Sequence, residues 1–311
     1  MDILVAVLPV FLVVAIGAAA RRYRFLGEPF IDTANGLVYY LLLPALLFHE
    51  ISGSAFGEAF NGTLVVGGYF ATVAVFLLAF FVSGRMAMTP AERGAFVQGA
   101  FRANLAYVGL PIVLNVAGRA GLAKASILLG FIVPLLNGLA VVALLLPHGA
   151  DRSVSENARR IGRQLVSNPI ILSSALGIAW SFFRIPVPPL AGKTLGILSS
   201  ATLPLSLLCL GGSFSFGRAR AGFGKAAIAA AMKTVLLTAI GIGAYRLMGL
   251  SGEDLRIGSI MMGCPTAVVT YVMASQLEGD AALAGTIVIL STAASAATII
   301  GWLFLLRALG W

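Results

Sequence analysis

Gly36-Leu37-Val38-Tyr39-Tyr40-Leu41-Leu42-Leu43-Pro44-Ala45 is echoed 160 residues later by Gly196-Ile197-Leu198-Ser199-Ser200-Ala201-Thr202-Leu203-Pro204-Leu205. A second echo follows at an offset of 154, with Gly109-Leu110-Pro111 answered by Gly263-Cys264-Pro265. Apolar, proline-bearing segments that recur in the same order in both halves of a chain read as an internal repeat. The longest hydrophilic stretch separates the copies. The expected organisation is therefore a first repeat at 1–146, a short connecting loop at 147–164 and a second repeat at 165–311.

Around these segments the chain is too apolar to face water. Of its 311 residues, 59% are hydrophobic and 11% charged, whereas a soluble domain carries about 25% charged residues. Apolar runs long enough to cross a bilayer fall at 3–20, 31–48, 64–83, 94–116, 123–146, 165–183, 190–212, 225–247, 255–275 and 281–306. Five spans per half is an odd number, so the second repeat enters the membrane from the opposite side. The fold class expected is an all-α polytopic membrane protein of ten transmembrane helices, built as two inverted five-helix repeats.

The net charge of +9 does not signal nucleic acid, because Lys and Arg fall singly or in threes and fours between apolar runs rather than on one face or tail. They read as topology. Loops after spans 1, 3, 5, 7 and 9 carry 12 basic residues and the opposite side 7, so positive-inside places both termini outside a cell (inner) membrane. The first span has its arginines after the apolar run and only Asp2 before it. That order fits a retained helix rather than a signal peptide.

Spans 4 and 9 carry Gly-x-Pro in their middles. Proline lacks an N–H and clashes with the carbonyl four residues back, which opens a helix. The freed polar groups must then line a cavity or be buried in protein. Inverted repeats with helices interrupted at matching places are the sequence signature of secondary transporters. We therefore expect helices 4 and 9 to be broken and to cross, with Gly109, Pro111, Gly263 and Pro265 at the breaks. Asn104, Tyr107, Thr266, Thr270 and Tyr271 supply polar groups beside them for a solute. Pro44 and Pro204 are expected to shape supporting helices.

In order along the chain, several further pieces fall into one pattern. They are Asn35-Gly36-Leu37-Val38 leading to Leu43-Pro44-Ala45-Leu46-Leu47-Phe48-His49, Asn104 through Pro111, Asn168-Pro169-Ile170, and Pro265-Thr266-Ala267 through Tyr271-Val272-Met273-Ala274. This set resembles the auxin efflux carrier family, which holds plant PIN auxin exporters and bacterial carriers of malonate and other carboxylates. The resemblance implies a ten-helix inverted-repeat fold shared with bile-acid sodium symporters. It also implies a mobile transport domain of helices 3–5 and 8–10, and a scaffold of helices 1, 2, 6 and 7 that forms a homodimer. By position, Asn104, Pro111 and Pro265 match the family's substrate-crossover motifs. The plant exporters have a long central loop. The stretch at 147–164 is short.

Ionisable residues inside a membrane are functional suspects. No Asp or Glu falls in the middle of a span, which weakens a cation/proton antiporter. Arg102 and Lys233 lie about two turns from the cytoplasmic ends of spans 4 and 8. Snorkelling to that surface is the cheaper outcome for each; the alternative is attraction of an anionic solute. Gln276, Glu278 and Asp280 follow the second break and are candidates for H+ or Na+ coupling or, equally, a hydrated loop cap. Small residues at 291–297 read as close helix packing. Cys209, Cys264, His49 and His148 have no metal-site spacing, and no cofactor is expected. Walker A and HExxH are absent, so neither ATP-driven pumping nor an enzyme is indicated. The function expected is secondary transport of a small organic anion, carboxylate or auxin-like, by alternating access. A sodium-coupled symporter ranks second; antiporter, channel and receptor follow.

Overall fold

The computed structural model describes residues 3–148, 167–213 and 222–311. The basic residues at 152, 159, 160, 163, 218 and 220, which weigh in the orientation count, and most of the connecting loop lie outside the described residues. Regular structure among the described residues is helical, apart from one isolated antiparallel bridge between Ala103 and Thr266. Among the described residues, seven helices are long and apolar enough to cross a membrane: Ile3–Arg22, Glu28–Ser52, Gly62–Arg85, Leu105–His148, Pro189–Gly212, Phe223–Leu247 and Ala281–Ala308. A shorter apolar helix spans Pro169–Phe182.

In chain order the helices are α1 (Ile3–Arg22), α2 (Glu28–Leu37), α3 (Leu43–Ser52), α4 (Phe56–Ala59), α5 (Gly62–Arg85), α6 (Pro90–Phe101) and α7 (Leu110–Leu145). They continue as α8 (Pro169–Phe182), α9 (Pro189–Gly212), α10 (Phe223–Ala231), α11 (Leu237–Leu247), α12 (Gly252–Gly263), α13 (Val269–Gln276) and α14 (Ala281–Ala308). Single π-helical turns occupy Val38–Leu42, Leu105–Gly109 and Met232–Leu236. Two of them precede a proline, Pro44 and Pro111. A wider turn accommodates the ring against the carbonyl four residues back without ending the helix. Gly118, at φ 63° and ψ −162°, breaks α7; only a residue without Cβ takes that conformation readily. This break falls between the runs read as spans 4 and 5.

The chain forms two compact units. The first comprises 1–65, 106–133 and 166–214. In it α1 crosses α9 at glycines. A Cβ on Gly17 would overlap the Leu208 carbonyl, and one on Gly211 the Val14 carbonyl. Lipid is as apolar as any helix face, so association in a membrane depends on such close approach. Asn168 caps α8 by accepting from the Ile170 amide at 2.9 Å, with Pro169 in the first turn, a position where its missing N–H costs nothing. Helix α8 then packs on α3, where the ring centroids of Phe48 and Trp180 lie 5.7 Å apart, edge to face.

The second unit comprises 66–105, 134–165 and 215–311. The unit boundary thus runs through the lengths read as helices 4 and 5. Helix α6 starts on a capping box: Glu92 N–H donates to Thr89 Oγ1, and Thr89 N–H donates to Glu92 Oε2 at 2.8 Å. Lys225 at the start of α10 donates to the other Glu92 oxygen at 2.6 Å, and these contacts hold the Glu92 carboxyl below its usual range. Gly94 sits against the Leu144 backbone and Gly99 against the Ile287 side chain. Helix α6 is thereby pressed onto its neighbours, and its C-terminal end stops inside the unit.

Candidate functional site

Within the second unit, two breaks in the chain are hydrogen-bonded to each other. Helix α6 ends at Phe101, Arg102 turns extended at φ −77° and ψ 97°, and helix resumes at Leu105. Helix α12 ends at Gly263, and Cys264 is extended at φ −56° and ψ 147°. That is the conformation a residue before proline is pushed into. The Asn104 amide donates to the Pro265 carbonyl at 2.8 Å, and the Ala267 amide donates to the Arg102 carbonyl at 2.9 Å. Backbone groups released by one break are satisfied by the other, as burial away from water demands. Neither half-helix of a pair, 12 and 12 residues before the breaks, reaches the ~20 residues of a full span.

The first break does not lie at Pro111. Pro111 stands in the first turn of α7, behind the π turn that absorbs its ring, and the chain opens seven or more residues earlier. The second break does contain Pro265. Thr266 is fully buried: its hydroxyl donates to the Gly99 carbonyl in the last turn of α6 at 2.8 Å, and its amide donates to Ser291 Oγ at 3.0 Å.

Charged side chains in the buried core of the described residues are Arg102 and Lys233, both cations. Neither snorkels. Arg102, 5% exposed, donates to Asn137 Oδ1 at 2.6 Å and to Met273 Sδ at 2.7 Å. Lys233, 0% exposed, donates to the Met262 carbonyl at 2.8 Å, in the last turn of α12. The Lys233 ammonium thus stands at the C-terminal end of a half-helix, where the macrodipole is negative. That interaction supplies what snorkelling would otherwise supply from water. Asn137 and Met273 were not singled out from sequence; Asn137, a polar residue deep in an apolar run, was the available signal.

Two buried polar groups beside the breaks have no hydrogen-bond partner: Asn104 Nδ2 and Thr270 Oγ1. Gly263 is crowded, with the site of a Cβ 3.3 Å from Ile299 and 3.4 Å from Thr238 Oγ1. Tyr271 is half-buried on α13. Tyr107, Gly109 and Pro111 belong to the first unit. There Tyr107 Oη donates to Asn35 Oδ1 at 3.4 Å.

Gln276 is the exposed last residue of α13, and Glu278 is exposed just beyond it. Asp280 caps α14, accepting from the Leu283 amide at 2.9 Å. No group of three or more His, Cys, Asp or Glu fit for a metal occurs among the described residues.

The first unit contains a cavity of about 450 Å³ between α1, α3, α7 and α9. Pro111 and Pro204 line it, with Asn115, Arg119, His49 and Ser199 as polar lining. Arg119 lies 3.5 Å from Glu50, whose side chain is 9% exposed. Glu50 and Arg119 lie 69 positions apart in the sequence, so no local pattern announces the pair.

Long apolar helices mark an integral, multi-pass membrane protein, and its family makes it a membrane transporter rather than an enzyme. The family model described as "Membrane transport protein" matches residues 2–303, and the chain belongs to that family, which includes the auxin efflux carriers. It is 24% identical to an uncharacterized transporter of Methanocaldococcus jannaschii, over 96% of this chain and 98% of the other. It is also 24% identical to a candidate malonate transporter of Rhizobium meliloti, over 97% and 95% respectively. Auxin efflux carrier component 1 of Arabidopsis thaliana is 33% identical over 37% of this chain and 20% of the plant protein.

Proposed function

We propose that the protein is a secondary carrier of a small organic anion, a carboxylate or an auxin-like acid, moved by alternating access. The observation that carries this reading is the buried Arg102 guanidinium two residues from the unpartnered side-chain amide of Asn104, in a core whose buried charges among the described residues are both cationic. An amide N–H and a guanidinium are donors that suit a carboxylate. A core without a buried Asp or Glu among the described residues does not suit a free cation as cargo. The names of two relatives, a candidate malonate transporter and an auxin efflux carrier, agree in substrate class.

In this reading ten helices form two inverted repeats, with 1–146 and 165–311 as the copies. Helices 1, 2, 6 and 7 act as a dimerising scaffold and helices 3–5 and 8–10 as the moving domain. Support comes from the Thr202 hydroxyl, which bonds the carbonyl of its repeat counterpart Leu42, and from the two matched breaks. The test is uptake of radiolabelled malonate and auxin into proteoliposomes. We expect saturable uptake that Asn104→Ala abolishes and Arg102→Gln weakens by about tenfold, the worth of one charge-assisted hydrogen bond. A non-saturable current, or unchanged uptake by Asn104→Ala, refutes the reading.

A further inference from the structure

The C-terminal end of α12 is a cation site by its chemistry. Pro265 has no N–H to give, and the chain leaves the helix at Cys264, so the last carbonyls of α12 lose their intrahelical donors. They lie inside the second unit, where water does not satisfy them: Ile260, Met261, Met262 and Gly263 are all buried. Such ends carry about half a negative charge. In transporters built from broken helices they coordinate the coupling Na+ or H+.

Here a group of the chain already stands there. Lys233 reaches from the π turn Met232–Leu236 of the neighbouring helix and puts its ammonium 2.8 Å from the Met262 carbonyl, with no exposed surface. The Ile260 carbonyl of the same end is also used internally, since Cys264 Sγ–H donates to it. Single π turns inside α-helices concentrate at functional sites. This one interrupts a helix with no proline to explain it. An ammonium carries the same unit charge as Na+ and offers three donors to surrounding oxygens.

We infer that Lys233 is a tethered substitute for a coupling cation: it occupies the α12 carbonyl end permanently, so the protein neither binds nor requires Na+ there. The inference rests on the carrier reading only for its meaning in transport. The site itself is tested without any organic anion. In detergent, the melting temperature of the purified protein is compared in NaCl and in choline chloride at equal ionic strength. Wild type is expected to show no difference. Lys233→Ala removes the ammonium and opens the carbonyl end. It is expected to melt lower in choline chloride and to regain about 5 °C in saturating NaCl, as a ligand specific to the folded state does. Lys233→Met fills the space without charge and should regain nothing, and Lys193→Ala, on an exposed lysine, should match wild type. Saturable, Na+-specific stabilisation of wild type overturns the inference, as does a folded Lys233→Ala protein that is indifferent to Na+. Should that variant not fold, Lys233→Arg decides. Indifference to Na+ supports the tethered cation, and a Na+ response with the charge still present overturns it. Loss of the carrier reading shows instead as absent anion uptake with this Na+ pattern intact.

Discussion

The hydroxyl of Thr202 donates to the carbonyl of Leu42 at 3.0 Å, and these residues hold the same place in the two copies of the repeated segment. Thr202 is fully buried and shares its one hydroxyl proton with the Leu198 carbonyl of its own helix, also at 3.0 Å. Thr202→Val keeps the shape and removes this shared bond. It is expected to lower unfolding stability by about 1–2 kcal/mol, read as a fall in melting temperature in detergent. Thr202→Ser, which keeps the hydroxyl, should lose less.

Asn104 is expected to separate stability from binding. Its Nδ2 is buried without a partner, so removing the side-chain amide removes an unsatisfied donor as well as packing. Asn104→Ala should therefore change stability by about 1 kcal/mol or less. Thermal shift with malonate or auxin should show no ligand stabilisation in the variant. A large stability loss with retained ligand response would assign Asn104 to packing.

Two glycines give opposite expectations. At Gly211 a Cβ would overlap the Val14 backbone carbonyl, whereas nothing lies within 4 Å of a Cβ on Gly36. Backbone cannot move aside as a flexible side chain does, so Gly211→Ala should cost about 1–3 kcal/mol or more. Gly36→Ala, inside a helix, should be neutral or stabilising by about 0.5–1 kcal/mol. Melting temperatures of the two variants check the contrast.

Glu92 should make stability acid-sensitive. Its hydrogen bond from Lys225, and then that from the Thr89 amide, lower its folded pKa below the ordinary value of 4.5. A depressed carboxyl pKa contributes stability that is fully present above the unfolded value and is lost as pH falls through the folded one. Glu92→Gln retains the capping-box geometry but not this titration. Between about pH 5 and 3 the wild-type melting temperature should fall more steeply than that of Glu92→Gln. High salt should narrow the difference, since both groups are partly exposed and screened.

Sequence alone determined the solvent and the punctuation of this protein. Lipid demands long apolar runs, so the membrane class was visible in composition, although seven helices among the described residues, against ten runs read from sequence, are long and apolar enough to cross; the kink at Gly118 fell where two runs had been separated. Pro265 was visible as a break because proline cannot complete the helix, whatever surrounds it. The paired Gly-x-Pro motifs misplaced the other break. Pro111 is accommodated by a π turn, while Arg102–Asn104 opens without a proline. It opens because its backbone finds partners on residues far along the chain, and local sequence carries no record of that.

Tertiary structure alone decided what the charges do. Lys233 and Met262 are 29 residues apart, and Arg102 and Met273 are 171 apart. Hydropathy cannot choose between a lysine that snorkels and one that caps a half-helix, because lipid and protein interior look equally apolar to a sequence scale. The same limit hid the Glu50–Arg119 pair in the first unit's cavity and left Asp280 open between ion coupling and a helix cap. The residue types announced where a membrane protein would be interrupted. Only the folded chain settled which buried groups meet at the interruption, since that depends on the direction each helix face turns and on what stands opposite it.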